Sequence, residues 1–224
     1  MLVNIYFEKP FPMRLKPADK AKIKNRIRGG AAGLFRKFGP HEVNIDQIME
    51  TAGLTRGAYY AHFASKTDLL AQVTRHEHPL LNMLKSRPGT TSGELWQQML
   101  EIFDNYLTHD HLPEILAGCS LASLTETASR ADGSVKQGFQ AAWCEIRGEM
   151  ARGQSFASRS APMALDNALL LATNAVTTAG ATDSPRLQQR ILHSAKQGFS
   201  QFMAQAQPNS EQPGPAQPQK EVAQ

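Results

Sequence analysis

The chain has 224 residues, is 41% hydrophobic and carries 24 Lys+Arg against 20 Asp+Glu, a formal net charge of +4. That length allows one large domain or a small one joined to a larger one, and the composition excludes collagen, a wholly disordered chain and a disulfide-framed miniprotein. The longest apolar run, Ala168 to Ala172, is about five residues where a bilayer span needs roughly 18 to 20, so no membrane partner is expected.

The first dozen residues, MLVNIYFEKPFP, lack a basic leader and a small-residue cleavage site, and no signal peptide is expected there. Met13 opens a more ordinary leader and makes a second candidate start, so residues 1–19 read as a flexible N-terminal extension. From about residue 18 the pattern is helical: Ile23, Ile27, Ala31, Leu34, Phe35 and Phe38 share one face, and Gly39 is the expected stop. Asn44 and Gln47 fit a capping box ahead of Ile45, Ile48, Met49 and Ala52, and Gly53 ends that short helix. Thr55 is placed to cap a third helix through Phe63, and Ser65 with Asp68 to open a long fourth one through Leu69, Leu70 and Val73.

Beyond Pro88 the period stays near 3.6, along Leu95, Met99, Ile102, Phe103 and Tyr106, then along Phe139, Trp143, Ile146 and Met150. Two more helices are expected over about 163–181 and 185–205. Residues 207–224 hold four prolines and five glutamines with almost nothing apolar, and read as a disordered tail. The fold class is all-α.

Charge divides the chain. Residues 1–85 hold 14 Lys+Arg against 7 Asp+Glu, and residues 86–224 hold 10 against 13. A basic first third on a slightly acidic body points to a polyanion-binding module, the alternative being that Lys16, Lys20, Lys22, Lys24, Arg26 and Arg28 only solvate one helix. The two short helices meeting at Ala52-Gly53-Leu54 make a helix-turn-helix candidate over 44–63. On its second helix Arg56, Tyr59, Tyr60 and His62 offer donors and aromatic edges, Gly57 and Ala58 leave room for close approach, and Thr55 stands at an N-terminus suited to phosphate. Lys66, just beyond, is placed for another phosphate. One of the two tyrosines is expected to pack against the first helix instead, and His62 reads equally well as a core-edge histidine.

The run Ala52-Gly53-Leu54-Thr55-Arg56-Gly57-Ala58-Tyr59-Tyr60-Ala61-His62-Phe63-Ala64-Ser65-Lys66-Thr67-Asp68-Leu69 resembles the DNA-binding signature of TetR/AcrR-type transcriptional regulators. The resemblance covers about residues 20–80, with a weaker echo at Gly118-Cys119-Ser120-Leu121, where Ser120 replaces the proline some members carry. It implies an N-terminal three-helix helix-turn-helix domain over 20–80 and a helical ligand-binding and dimerisation bundle over 86–205. Carried over by position, it places DNA contacts at Asn44, Thr55, Arg56, Gly57, Tyr59, Tyr60, His62 and Lys66. Tyr60 and Lys66 are then expected on phosphates, Arg56 and Tyr59 on base edges.

The resemblance further implies a homodimer on a palindromic operator in double-stranded DNA, repression, and release by a small-molecule effector; no phosphate-binding glycine loop and no nucleophile with spaced His and acid partners stands out, so no enzyme activity, cofactor or metal is expected. Two stripes are candidates for the dimer face: Leu165 and Leu169 on one helix, and Leu187, Ile191, Phe199 and Phe202 on the next, with intramolecular core as the alternative. A pocket for a hydrophobic effector is expected from Trp96, Met99, Phe103, Leu121, Phe139, Trp143 and Met150, most of which also suit ordinary core. Cys119 and Cys144, the chain's two cysteines, suit a reducing cytoplasm, and a thiol redox sensor on the same fold is the rival mechanism. The spaced pairs His76/His78 and His109/His111 lack partners to complete a metal site. A helical protein-interaction module would explain the bundle but neither the basic third nor the signature.

Overall fold

The computed structural model describes residues 16–156 and 158–208, and among these every regular element is a helix. The expected extension up to residue 15 and the tail from 209 lie outside the described residues. Helix α1 (Pro17–Phe38) starts earlier than the hydrophobic period indicated, because Pro17 at its first turn needs no N–H partner. Residues 17–19 therefore belong to the helix and not to an extension. Its buried face is Ile27, Ala31, Ala32 and Phe35, and it stops at Gly39, whose φ of +77° suits glycine. Phe38 falls off that face and is 51% exposed, with the Lys37 ammonium 4.9 Å from its ring centroid.

Helices α2 (Ile45–Thr51) and α3 (Arg56–Tyr59) follow, then α4 (Lys66–His76). The fourth helix runs through Leu69, Leu70 and Val73 as expected and ends at His76, after which Pro79 opens α5 (Pro79–Lys85) and forces His78 into an extended conformation. His78 is buried, with a ring nitrogen 2.6 Å from the Thr74 carbonyl oxygen. Burial lowers its pKa, a trend that the Thr74 bond opposes and the nearby Arg36 charge reinforces. The folded state thus holds a neutral imidazole, while the unfolded chain takes up a proton near pH 6.5. Its contribution to stability is complete above that pH and is lost as pH falls below it. Thermal melts between pH 7.5 and 5.5 are expected to lose less stability in His78→Gln than in the wild type, and equal losses would contradict this.

The second half comprises α6 (Ser92–Tyr106), α7 (Leu112–Gly118), α8 (Ser120–Ser123), α9 (Thr125–Arg130), α10 (Gly133–Met150), α11 (Ala161–Gly180) and α12 (Pro185–Gln205). Thr91 and Glu94 close a capping box on α6, and Asp132 caps α10. Helices α11 and α12 form a hairpin, packed along their length.

Two hydrophobic cores result. One gathers Ile27, Phe35, Ile48, Tyr59, Phe63 and Leu69 from the first four helices, and Leu124, Ala128 and Val135 from the second half join it. The other fills the helical body around Met99, Phe103, Leu165, Leu169 and Phe199. Helix α4 bridges them by lying against α10. At Gly138 the two backbones approach so closely that an added Cβ would stand 2.7 Å from the Ala71 carbonyl oxygen and 2.8 Å from Thr74 Oγ1. No described helix is long and apolar enough to cross a membrane.

Candidate nucleic-acid interface

Local chemistry builds the helix-turn-helix. Asn44 Oδ1 accepts the Gln47 amide N–H at 2.9 Å while the Gln47 side chain accepts the Asn44 N–H at 2.8 Å, so α2 starts at a complete capping box. Ile48 and Met49 anchor it in the core. The chain reverses at Gly53, with φ +61°, and the Leu54 N–H donates to Met49 O at 2.9 Å. From α1, Arg26 Nη2 donates to the Gly53 carbonyl at 3.1 Å and pins the turn, a role its place in a basic run did not reveal.

Helix α3 is a single turn. His62 and Phe63, expected within it, follow as a turn whose amides donate to Tyr59 O at 2.9 and 3.0 Å. Thr55 occupies the N-cap position without a side-chain capping bond, contrary to the capping role expected, so its exposed hydroxyl is free for another acceptor. Ser65 does cap α4 by accepting the Asp68 N–H at 3.0 Å, but the Asp68 carboxylate reaches Ala64 N–H rather than Ser65, one residue off a true box.

The outward side of α3 presents Thr55, Arg56, Gly57 and Tyr60, all exposed, with Tyr60 at 59%. A Cβ at Gly57 would meet no atom within 4 Å, so this spot lies open to a surface pressed against the helix. Arg56 pairs with Asp46 at 2.7 Å, an exposed contact of small worth that a stronger acceptor can displace. Tyr59 departs from expectation. It is fully buried, its ring 5.3 Å from Tyr60 and 5.6 Å from Phe63, and cannot reach a base edge. Its hydroxyl has no hydrogen-bond partner, and burial, assisted by Asp68 and Tyr60, pushes its pKa up to about 12.

His62 is half-buried, and desolvation, then Lys24 and Lys20, lower its pKa. Those two α1 lysines extend the basic surface, with Lys24 Nζ 5.5 Å from the centre of the Phe63 ring. Lys66 is tied by one N–H to the Val43 carbonyl at 3.0 Å, leaving its other ammonium protons for outside acceptors.

The same domain is fastened to the body at the other end of α1. Arg28 pairs with Glu77 at 2.5 Å, and Arg36 Nη1 donates to Ser120 Oγ at 3.4 Å and Glu77 O at 3.5 Å. Ser120 itself donates to Glu77 O at 2.7 Å. The serine standing at the proline position of the weaker motif therefore joins α8 to the end of α4.

In the body, the expected pocket residues separate. Met99, Leu121 and Met150 are filled core, and Phe139 and Trp143 lie half-buried on α10. Only Trp96 and Phe103 line a cavity, which lies between α6 and α12 and measures about 560 Å³. The expected dimer stripe divides too. Leu165, Leu169 and Phe199 are 2%, 0% and 4% exposed and pack inside the protomer, whereas Leu187, Ile191 and Phe202 are half-buried and Leu170 is exposed. Cys119 is buried, accepts the Tyr106 O–H at 2.9 Å, and has its thiol pKa raised by burial, while Cys144 is exposed and both are free. His76 is exposed and His78 buried, and no three metal-ligating side chains cluster among the described residues.

Residues 27–73 match the family profile described as bacterial regulatory proteins, tetR family. Over 70 residues, 30% of this chain and 52% of the relative, the sequence is 40% identical to the uncharacterized HTH-type transcriptional regulator TtgW of Pseudomonas putida. The chain spans about a third to a half of the length of such curated relatives. The fold is similar to that of reduced NemR from E. coli, with a TM-score of 0.62 at 13% identity, covering 80% of this chain and 96% of that one. It is also similar to the complex of SmeT with triclosan, with a TM-score of 0.53 at 20% identity over 82% and 91% of the two chains; SmeT is a repressor of a Stenotrophomonas maltophilia multidrug efflux pump.

Proposed function

We propose that this chain, whose residues 27–73 match the tetR family profile, is a DNA-binding transcriptional regulator of that family and acts as a homodimeric repressor, holding a palindromic operator until a hydrophobic effector binds. The observation that carries the reading is the outward side of α3: Thr55, Arg56, Gly57 and Tyr60 stand exposed beside the lysines of α1. Thr55, Tyr60 and Lys66 suit phosphate oxygens, and Arg56 suits a base edge in the major groove. Asn44 and His62 flank this surface, Asn44 chiefly as the cap that orients α2.

Dimerisation is supported by the outer side of the α11–α12 hairpin. Asp166 is the single charged residue of α11, and it is turned to Arg147 at 2.9 Å. Met163 and Leu170 are 62% and 47% exposed, and Leu171, Leu187 and Ile191 line one shallow groove between the two helices, apolar groups that water would otherwise cover. Two such hairpins pair naturally as a four-helix bundle. A Leu170→Glu variant is expected to remain folded but sediment as a monomer, and to lose affinity for a two-half-site duplex. A wild type that sediments as a monomer at micromolar concentration, or a variant still dimeric, would contradict this. SmeT's complex with triclosan supports an apolar effector by analogy of fold alone.

A further inference from the structure

The cavity between α6 and α12 has a composition that selects among apolar ligands. Its floor is aromatic: Phe103 and Phe199 stack with centroids 4.7 Å apart, and Trp96 stands half-buried at its edge. Two carboxylates, Glu101 and Asp104, hang over it from successive turns of α6, and both are exposed. The facing cation is Lys196 of α12, and it is already engaged, with Nζ 2.7 Å from Asp104 Oδ1 and 3.3 Å from Thr108 Oγ1. Glu101 receives a hydrogen bond from Gln97 at 3.2 Å, and no cation among the described residues pairs with it. An anion here would meet an unneutralised carboxylate. A cation would meet that carboxylate and the half-buried indole of Trp96, two attractions of the same sign.

We propose that this groove is a binding site for apolar aromatic cations. The assignment rests on the effector-release reading for its consequence, but not for its chemistry. The groove lies on another side of α12 from Leu187 and Ile191, so pairing through that apolar side leaves it open. It also has a physical route to the DNA-binding half. Phe103 touches Tyr106 edge-on at 6.0 Å, Tyr106 donates to Cys119 Sγ at 2.9 Å, and the next residue is Ser120, bonded to Glu77 and Arg36. A ligand that shifts the stacked phenylalanines therefore presses on the contact that fastens α1 and α4 to the body.

Tetraphenylphosphonium and tetraphenylborate share shape and apolar area and differ in the sign of their charge. Titrated calorimetrically into the full-length wild type, the cation is expected to bind at least about tenfold more tightly than the anion binds this groove. Glu101→Lys, at an exposed position, is expected to abolish that preference. In Trp143→Phe, Trp96 remains the one tryptophan of the chain, and its emission is expected to change as the cation binds. Failure of the cation to bind, a preference that survives Glu101→Lys, or a silent Trp96 would each overturn the site. DNA release is read separately, on the preformed protein–DNA complex. Cation bound at Trp96 with DNA affinity unchanged would keep the site and overturn effector release by it. Release by tetraphenylphosphonium with Trp96 silent would keep effector release and overturn the site.

Discussion

Tyr59→Ala is expected to destabilise the N-terminal domain by about 3–5 kcal/mol, and Tyr59→Phe to leave its stability unchanged or raise it. The first change empties the centre of a core in which Phe35, Phe63 and Leu69 are each 2% exposed or less, and the small domain has few other large side chains to close the gap. The second removes only a hydroxyl that is buried without a partner, a group whose burial costs about 1–3 kcal/mol. DNA affinity should survive Tyr59→Phe intact. Chemical denaturation and duplex titration of the two variants check both halves. A Tyr59→Phe protein with wild-type stability but weakened, sequence-dependent DNA binding would return Tyr59 to the contacting set.

Arg56→Ala is expected to cost about 1–3 kcal/mol of operator affinity, roughly 5- to 150-fold, while weakening random DNA much less. The side chain stands exposed at the start of α3, and its present partners are the Tyr60 hydroxyl and the exposed carboxylate of Asp46. Exchanging that contact for a base edge costs little, because an exposed ion pair contributes at most about 1 kcal/mol. Folding stability should accordingly be almost unchanged, which separates the effect from that of Tyr59→Ala. Anisotropy titrations against a selected duplex and a scrambled one measure the difference. Equal losses on both would make Arg56 a phosphate contact, without a part in reading sequence.

Much of the N-terminal domain was legible because its signals are local. The Asn44–Gln47 capping box, the glycine with positive φ at 53 and the stop at Gly39 each depend on a few consecutive residues, and each is where the spacing put it. The choice between Tyr59 and Tyr60 was not legible, since adjacent helical positions point about 100° apart and only the packed neighbours decide which points inward. The same limit acted on α11. Leu169, Leu170 and Leu171 are consecutive and the helix is apolar nearly all round, so periodicity did not reveal that Leu169 is core and Leu170 faces outward. For the cavity, composition identified large apolar residues but not the gaps between them. Met99 and Met150 fill their space, and the opening lies instead where α6 and α12 diverge. Ser120 was visible as a departure from a motif, and its bond to Glu77 only in three dimensions.

Selection from a random duplex pool with the full-length wild type at low salt asks whether the α2–α3 unit and the basic side of α1 hold duplex DNA as a two-fold dimer. Enrichment of an inverted repeat is expected, with half-site centres about one helical turn, roughly 34–36 Å, or a multiple of it apart, in a complex that weakens steeply as salt rises. No retention of any duplex at low salt, or retention that never converges on a symmetric sequence, would contradict it.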